Sequence, residues 1–464
     1  MSKEKVYFYY TNDLHSNFEQ WSRVTACLKE KQGLRKENKE AFFTMDIGDH
    51  VDRSHPITEA SNGLANVALL NEAGYDIVTL GNNEGITLSH QELYRLYDKA
   101  NFQVVCSNLF SRDALTPFWL KRMHTFTTES GIRIGFLGLT APFNAFYELL
   151  DWHVENEFDI IEQYIEELKS GSDMIVLLSH LGISVDQEIA RRYPDIDVII
   201  GGHTHHLLEA GEVVNDTLIT AAGKHCYYMG EVEIIWDHQR KKIVSKEAAA
   251  INLRDSVKDL ETEEHLQQLL NQANHYLDQV VTSVEEPLEV KWFAETPIIH
   301  SLTKVLKKWT NADIAMLNAG VLLDSLPAGA ITKGDIHRIC PHPINPVLVD
   351  LKGDQIIETV RAARAPAFTE LKLKGFGFRG EILGEMIFSG IQVETAFHRN
   401  GEIYVKQVYT EDGYPINPDK VYYVATADTF TFGHLLPEIA RSAKKQYFVP
   451  EFLRDLLAYA VKQY

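Results

Sequence analysis

Val198-Ile199-Ile200-Gly201-Gly202-His203-Thr204-His205 joins a short apolar run to a glycine turn that carries two imidazoles two residues apart. Near-continuous apolar runs of this length read as strands buried on both faces. Four other stretches in the first half of the chain repeat the arrangement. Val6-Tyr7-Phe8-Tyr9-Tyr10 leads to Asp13 and His15, and Phe42-Phe43-Thr44-Met45 leads through Gly48 to Asp49. Ile77-Val78-Thr79-Leu80 leads through Gly81 to Asn82, and Met174-Ile175-Val176-Leu177-Leu178 leads to His180. In layered α/β folds, sites form outside the carboxyl ends of such strands. One repeated placement therefore gathers seven potential ligands at one rim.

The chemistry of that set points to metal. Asp13 and His15, like His203 and His205, are two apart, and i, i+2 side chains of extended chain point the same way. Carboxylate, imidazole and amide oxygen without a thiolate suit Mn, Zn, Fe, Co or Mg. Seven ligands exceed what one metal with an open catalytic position needs, whereas two divalent metals sharing a bridging carboxylate would use them. Asp49 is the candidate bridge.

In that order, Asp13-x-His15, Gly48-Asp49, Gly81-Asn82, His180 and Gly202-His203-Thr204-His205 resemble the calcineurin-type metallophosphoesterases. The arrangement is most similar to their 5′-nucleotidase branch, which adds a C-terminal domain. The resemblance implies hydrolysis of a phosphate ester by water activated between two metals. One metal would correspond to Asp13, His15, Asp49 and His205, the other to Asp49, Asn82, His180 and His203. The implied fold class is layered α/β (α+β): an N-terminal metallophosphoesterase β-sandwich flanked by helices, plus a smaller α+β domain.

One departure bears on catalysis. The family reads Gly-Asn-His-Glu, and that His, backed by an Asp three residues on, stabilises the transition state or protonates the leaving group. Here the stretch is Gly81-Asn82-Asn83-Glu84-Gly85-Ile86, with Asn83 at the His position and Ile86 at the Asp position. An amide can donate a hydrogen bond to a phosphoryl oxygen but cannot deliver a proton, and losing a general acid costs ~10²–10⁴ in rate. Three expectations follow: a slow enzyme, an enzyme whose leaving group needs no proton, or a metal-bound pseudoenzyme or sensor. The complete ligand set favours an enzyme, and a phosphodiester, pyrophosphate or activated leaving group suits it best. His50 and His206 are candidate substitute acids. Adjacent residues of extended chain face opposite ways, which favours structural roles for both.

Composition fits a soluble globular protein: 464 residues, 45% hydrophobic and 24% charged, enough for two or three domains. A net charge of -20 argues against a nucleic-acid polymer or an anionic membrane as partner. It leaves room for a small phosphorylated substrate, because two dications would dominate their local field. Met1-Ser2-Lys3-Glu4-Lys5 precedes only five apolar residues, too few for a signal-peptide core, and no run reaches a membrane span. Cys27, Cys106, Cys226 and Cys340 are far apart and read as free thiols in a reducing compartment. The expectation is a cytoplasmic protein.

Residues 1–252 alternate strand-like and helix-like stretches, with the charged Lys29 to Glu40 segment read as a helix end and loop. Residues 253–285 read as a linker helix, since apolar residues recur at helical spacing from Ser256 to Val284. Residues 286–464 form the second domain, with a helix around Ile298 to Trp309 and strands such as Val347 to Leu351 and Ile403 to Val408. Its Asn318-Ala319-Gly320 and Gly329-to-Ile336 blocks resemble the nucleotide-binding domain of 5′-nucleotidases. The family continues Asn-x-Gly-Gly-x-Arg, whereas here the Arg position holds Leu323. An aromatic at Phe430 or Phe432 could stack on a base, although both also suit a core. Lys372-Leu373-Lys374-Gly375-Phe376-Gly377-Phe378-Arg379-Gly380 suits a loop closing over an aromatic or anionic ligand, with Phe378 and Arg379 as contacts. Asn318, Gly320, Phe378, Arg379, Phe430 and Phe432 are thus the candidate substrate-binding residues.

Overall fold

The computed structural model describes residues 3–112, 115–399 and 403–464; Met1 and Ser2, part of the N-terminal stretch read above, lie outside them. The chain divides into two compact units, Met1–Ala273 and Asn274–Tyr464.

The first unit is built on two sheets. One orders Lys242–Asn252, Tyr228–Asp237, Lys3–Thr11, Ala41–Asp46, Ile77–Val78, Gln103–Val105 and Leu120–Lys121. The other orders Glu212–Val214, Thr217–Thr220, Val198–Gly201, Met174–His180, Arg133–Thr140 and Met123–Thr127. Val6, Phe8, Tyr10 and Met45 of the first share one apolar cluster with Phe136, Val176, Leu178, Val198 and Ile200 of the second. The alternate residues, Leu137, Leu139, Ile175, Leu177 and Ile199, pack instead against Ile160, Ile161 and Leu168 of helix Glu157–Gly171 and Ile189 of helix Ile183–Arg192. Burial on both faces is why these strands carry unbroken apolar runs. Helix Trp21–Asn38 meets the first sheet, where Arg35 donates Nε–H to Tyr9 OH at 2.9 Å and lies 3.6 Å over the Tyr7 ring. The charged segment from Lys29 is therefore largely helix rather than helix end and loop; its last turn holds Arg35 and Lys36, cations suited to a helix C-terminus.

Strands 3–11, 41–46 and 77–78 run parallel, as do 133–140, 174–180 and 198–201. Within each sheet the carboxyl ends therefore share one edge.

Helix Leu260–Leu277 begins where Asp259 Oδ1 accepts from Thr262 N at 2.9 Å. It stops short of Val284: Val280–Val284 is a strand, antiparallel to Gly329–Thr332. The run Val280-Val281-Thr282 is β-branched, which disfavours helix and suits a pleated pair.

The second unit carries a five-stranded sheet ordered Met386–Ser389, Ile314–Asn318, Val421–Ala427, Pro346–Lys352 and Lys445–Tyr447. Ile298 and Leu302 of helix Pro297–Trp309, and Leu457 of helix Leu453–Val461, share its core with Met316, Val347 and Val424. Strand Ile403–Thr410 pairs with Ile391–Phe397 in a separate ribbon.

Candidate metal centre

Each of the seven candidate ligands ends a strand of the first unit or follows one within a few residues. Glycine makes two of the turns possible. Gly48 has φ +87, and a Cβ there would lie 2.1 Å from Gly81 N; a Cβ on Gly81 would lie 2.0 Å from Asp49 Oδ1. The Asp49 and Asn82 turns thus touch backbone to backbone. Buried Glu84 ties them together, accepting from Gly81 N at 2.9 Å, Asp49 N at 3.0 Å and Val51 N at 2.8 Å. Asp13, His15, Asp49, His203 and His205 all take φ between 49° and 71°. Left-handed backbone at non-glycine residues costs about 1–3 kcal/mol each and persists where surrounding structure enforces it, characteristically at functional sites.

These residues converge in two clusters, Asp13-His15-His205 and Asp49-His180-His203, each with its ligand atoms within 4.8 Å of one another. In the first, His15 Nε2 lies 3.1 Å from His205 Nε2 and His205 Nε2 lies 3.4 Å from Asp13 Oδ1. In the second, His180 Nε2 lies 3.4 Å from Asp49 Oδ1. Asp49 touches both, since its Oδ2 is 3.6 Å from His15 Nε2. His180 donates Nδ1–H to Ile47 O at 2.7 Å, which leaves Nε2 facing Asp49 as the nitrogen a metal would take. His180 Nε2 and Asn82 Oδ1 are shielded from solvent and have no hydrogen-bond partner among the described residues. A buried acceptor such as Asn82 Oδ1 is costly to leave unpaired, and a cation would take its lone pair. The donor set therefore fits divalent metal.

Charge in the cluster is tightly balanced. Burial pushes the Asp13 and Asp49 carboxyls up, but His205 and His180 beside Asp13, and His180 and His15 beside Asp49, hold both below the usual range. Burial opposes charge on His180, yet Asp49 and Asp13 raise it to about 10. Burial, then His180, lowers His203 to about 4.

Asn83 sits at this centre. Its backbone N donates to Asp49 Oδ1 at 2.8 Å, and its Nδ2 lies 2.9 Å from His15 Nδ1. His50 is not placed as a substitute acid: it is buried, packs edge-on against Trp21, and burial drives it down to about 3. His206 is exposed, with Nδ1 2.9 Å from Thr204 Oγ1. Three contributors escaped the sequence reading. Glu84 lay within the Gly-Asn-x-Glu stretch, so its pattern was visible although its role was not. Asp52 Oδ2 lies 3.4 Å from His15 Nδ1, and His225 sets its ring 6.0 Å from that of His15 while its N donates to Asp13 O. Neither carries a local signal, since both approach His15 from other turns.

In the second unit, the segments singled out separately in the sequence meet. Thr429 Oγ1 donates to Phe376 O at 2.9 Å, and the Phe376 and Phe432 rings lie parallel, 6.3 Å apart. Several candidate contacts prove to be framework. Phe430 is fully buried against Phe368, Phe378 is buried and stacked on His342, and Gly320 lies against Ile382 O, too close for a Cβ. Asn318 is buried and donates Nδ2–H to Leu383 O at 2.8 Å. Half-buried Phe432 and Arg379, with exposed Phe376, are the side chains that remain at this surface.

A two-sheet α/β unit with paired aspartate–histidine clusters at its strand ends defines a candidate metal-dependent hydrolase. Comparison with known proteins agrees. The calcineurin-like phosphoesterase family matches residues 7–207, and the 5′-nucleotidase C-terminal domain matches residues 279–435. An uncharacterized metallophosphoesterase of Bacillus subtilis, YunD, is 44% identical over 462 residues, covering 99% of this chain and 100% of that protein. The trifunctional nucleotide phosphoesterase YfkN of the same organism is 25% identical over 406 residues, 76% of this chain and 27% of that protein. Two solved structures share the fold. The 5′-nucleotidase precursor of Thermus thermophilus has TM-score 0.63 at 20% identity, over 99% of this chain and 96% of that one. The NAD nucleotidase of Haemophilus influenzae has TM-score 0.67 at 16% identity, over 100% and 97%. The chain belongs to the calcineurin-like metallophosphoesterases with a 5′-nucleotidase C-terminal domain. It is a hydrolase of phosphoric ester bonds.

Proposed function

We propose that the chain hydrolyses a nucleotide-like phosphate ester with two divalent metals, choosing substrates whose leaving group needs no proton. The observation that carries this reading is the pair of clusters joined through Asp49, with Asn83 where the family's acid stands. Asp13, His15, Asp49 and His205 would hold one metal, and Asp49, Asn82, His180 and His203 the other. When bound, such ions lower the pKa of a shared water and neutralise phosphoryl charge. The protein's own groups orient the reactants. Asp13 is fixed by Asn12 Nδ2 at 2.7 Å and His203 N at 3.0 Å, so its carboxylate cannot swing away. Asn83 supplies an amide donor beside Asp49, able to hold a phosphoryl oxygen but not to protonate a departing alkoxide.

In the second unit, Phe376 and Phe432 offer an aromatic face for a base, and Arg379 offers a cation for a phosphate. The four unpaired cysteines support a reducing, cytoplasmic setting. A second reading, a metal-bound sensor with negligible turnover, is favoured by Asn83 alone.

Steady-state kinetics with Mn²⁺ test the preferred reading. Phe432→Ala and Arg379→Ala should raise KM for a nucleotide substrate at least fivefold while leaving bis-nitrophenyl phosphate turnover within twofold. An unchanged nucleotide KM in both variants would move the substrate site elsewhere.

A further inference from the structure

His15 reaches two environments with its two nitrogens. Nε2 converges with Asp13 and His205, as above. A ring nitrogen that ligates metal must present its lone pair, so the ring proton then resides on Nδ1 and needs an acceptor. Nδ1 has two neighbours: Asp52 Oδ2 at 3.4 Å and Asn83 Nδ2 at 2.9 Å. A carboxylate accepts and an amide NH₂ donates, so the two neighbours demand opposite tautomers.

Both are held in place. Asp52 is buried, accepts from Ser54 N through Oδ1 at 2.8 Å, and donates its own N–H to Ser16 Oγ at 2.8 Å. The amide orientation of Asn83 also lets its Oδ1 accept from Asn82 Nδ2 at 3.3 Å. With Asn83 donating, Nδ1 is an acceptor, and Nε2–H points at His205 Nε2, 3.1 Å away. That tautomer does not present Nε2 to a metal.

We infer that Asp52 and Asn83 compete for Nδ1 of His15: Asp52 is the positioning residue that holds the metal-binding tautomer, and Asn83 must release the ring before a metal binds. The inference rests on the two-metal reading proposed above. Once Nδ1–H donates to Asp52, the Asn83 amide faces a donor and loses its acceptor. Its hydrogens are then free beside Asp49, where a phosphoryl oxygen would arrive. Asn83 thus opposes metal uptake and, once metal is held, serves the substrate.

Calorimetric titration of the chelator-stripped full chain with Mn²⁺ tests this. The wild type should show two binding events. Asp52→Asn keeps an oxygen for Ser54 N but turns an amide toward Nδ1–H, and should weaken one event by about 10–100-fold with the other within twofold. Asn83→Ala should tighten that same event by about 2–10-fold, the worth of one lost hydrogen bond. Wild-type affinity in Asp52→Asn, or unchanged or weaker binding in Asn83→Ala, overturns the inference. Should metal-free Asp52→Asn melt as an unfolded chain, the sign of the Asn83→Ala effect decides alone. A wild type that takes up no Mn²⁺ overturns the two-metal reading itself, a distinct result from either variant failing.

Discussion

Asn83 stands beside Asp49, and the turn that carries it is closely packed. Gly85 follows closely, and a Cβ there would meet the buried Tyr147 hydroxyl at 2.2 Å, so the turn packs against that ring. Ile86 offers no carboxylate to orient an imidazole at position 83. Restoring both groups should therefore restore acid catalysis only where acid catalysis matters. Asn83→His with Ile86→Asp should raise kcat on an alkyl phosphate by about 10² or more, the lower end of a general acid's contribution. Turnover of bis-nitrophenyl phosphate, whose leaving group needs no proton, should stay within about threefold. Equal gains on both substrates would mean that Asn83 limits something other than proton delivery.

At the scale of elements, the strand-and-turn repeat was legible because strands buried on both faces show as apolar runs and the ligands follow each run. Six of the seven candidate ligands meet in the two clusters for that reason. What the sequence hid was three-dimensional: Asp52 and His225 reach His15 from turns with no fixed spacing to it. The same applies to the second unit, where Phe378 is buried against His342 and Phe430 against Phe368, partners distant in the chain. His342 shows what holds loop 375–380. It donates to Val321 O at 2.9 Å, accepts from Arg379 N at 2.9 Å, and burial drives its pKa from 6.5 to about 3. The folded state keeps it neutral while the unfolded chain takes up a proton below 6.5, so unfolding absorbs a proton in that window. Its contribution is complete above pH 6.5 and is lost as pH falls toward about 3. The slope is about 1.4 kcal/mol per pH unit, so the stability gap between wild type and His342→Gln should shrink by about 2 kcal/mol from pH 6.5 to 5. Parallel urea-denaturation stabilities across that range would place the proton uptake elsewhere.

For the molecule as a whole, the proposed function divides the work between the two units by chemistry. The first carries the candidate metal ligands at its strand ends, and the second carries an aromatic and cationic surface. With a net charge of -20, bound dications would be the dominant attraction for a phosphate, so the proposed function depends on the metals. The direct test pairs metal content with hydrolysis of a broad phosphate-ester panel in Mn²⁺, wild type against Asp49→Asn. The account predicts about two ions per wild-type chain, metal-dependent turnover best on diester or pyrophosphate substrates, and loss of both in Asp49→Asn. Turnover that survives in Asp49→Asn at full rate would contradict it.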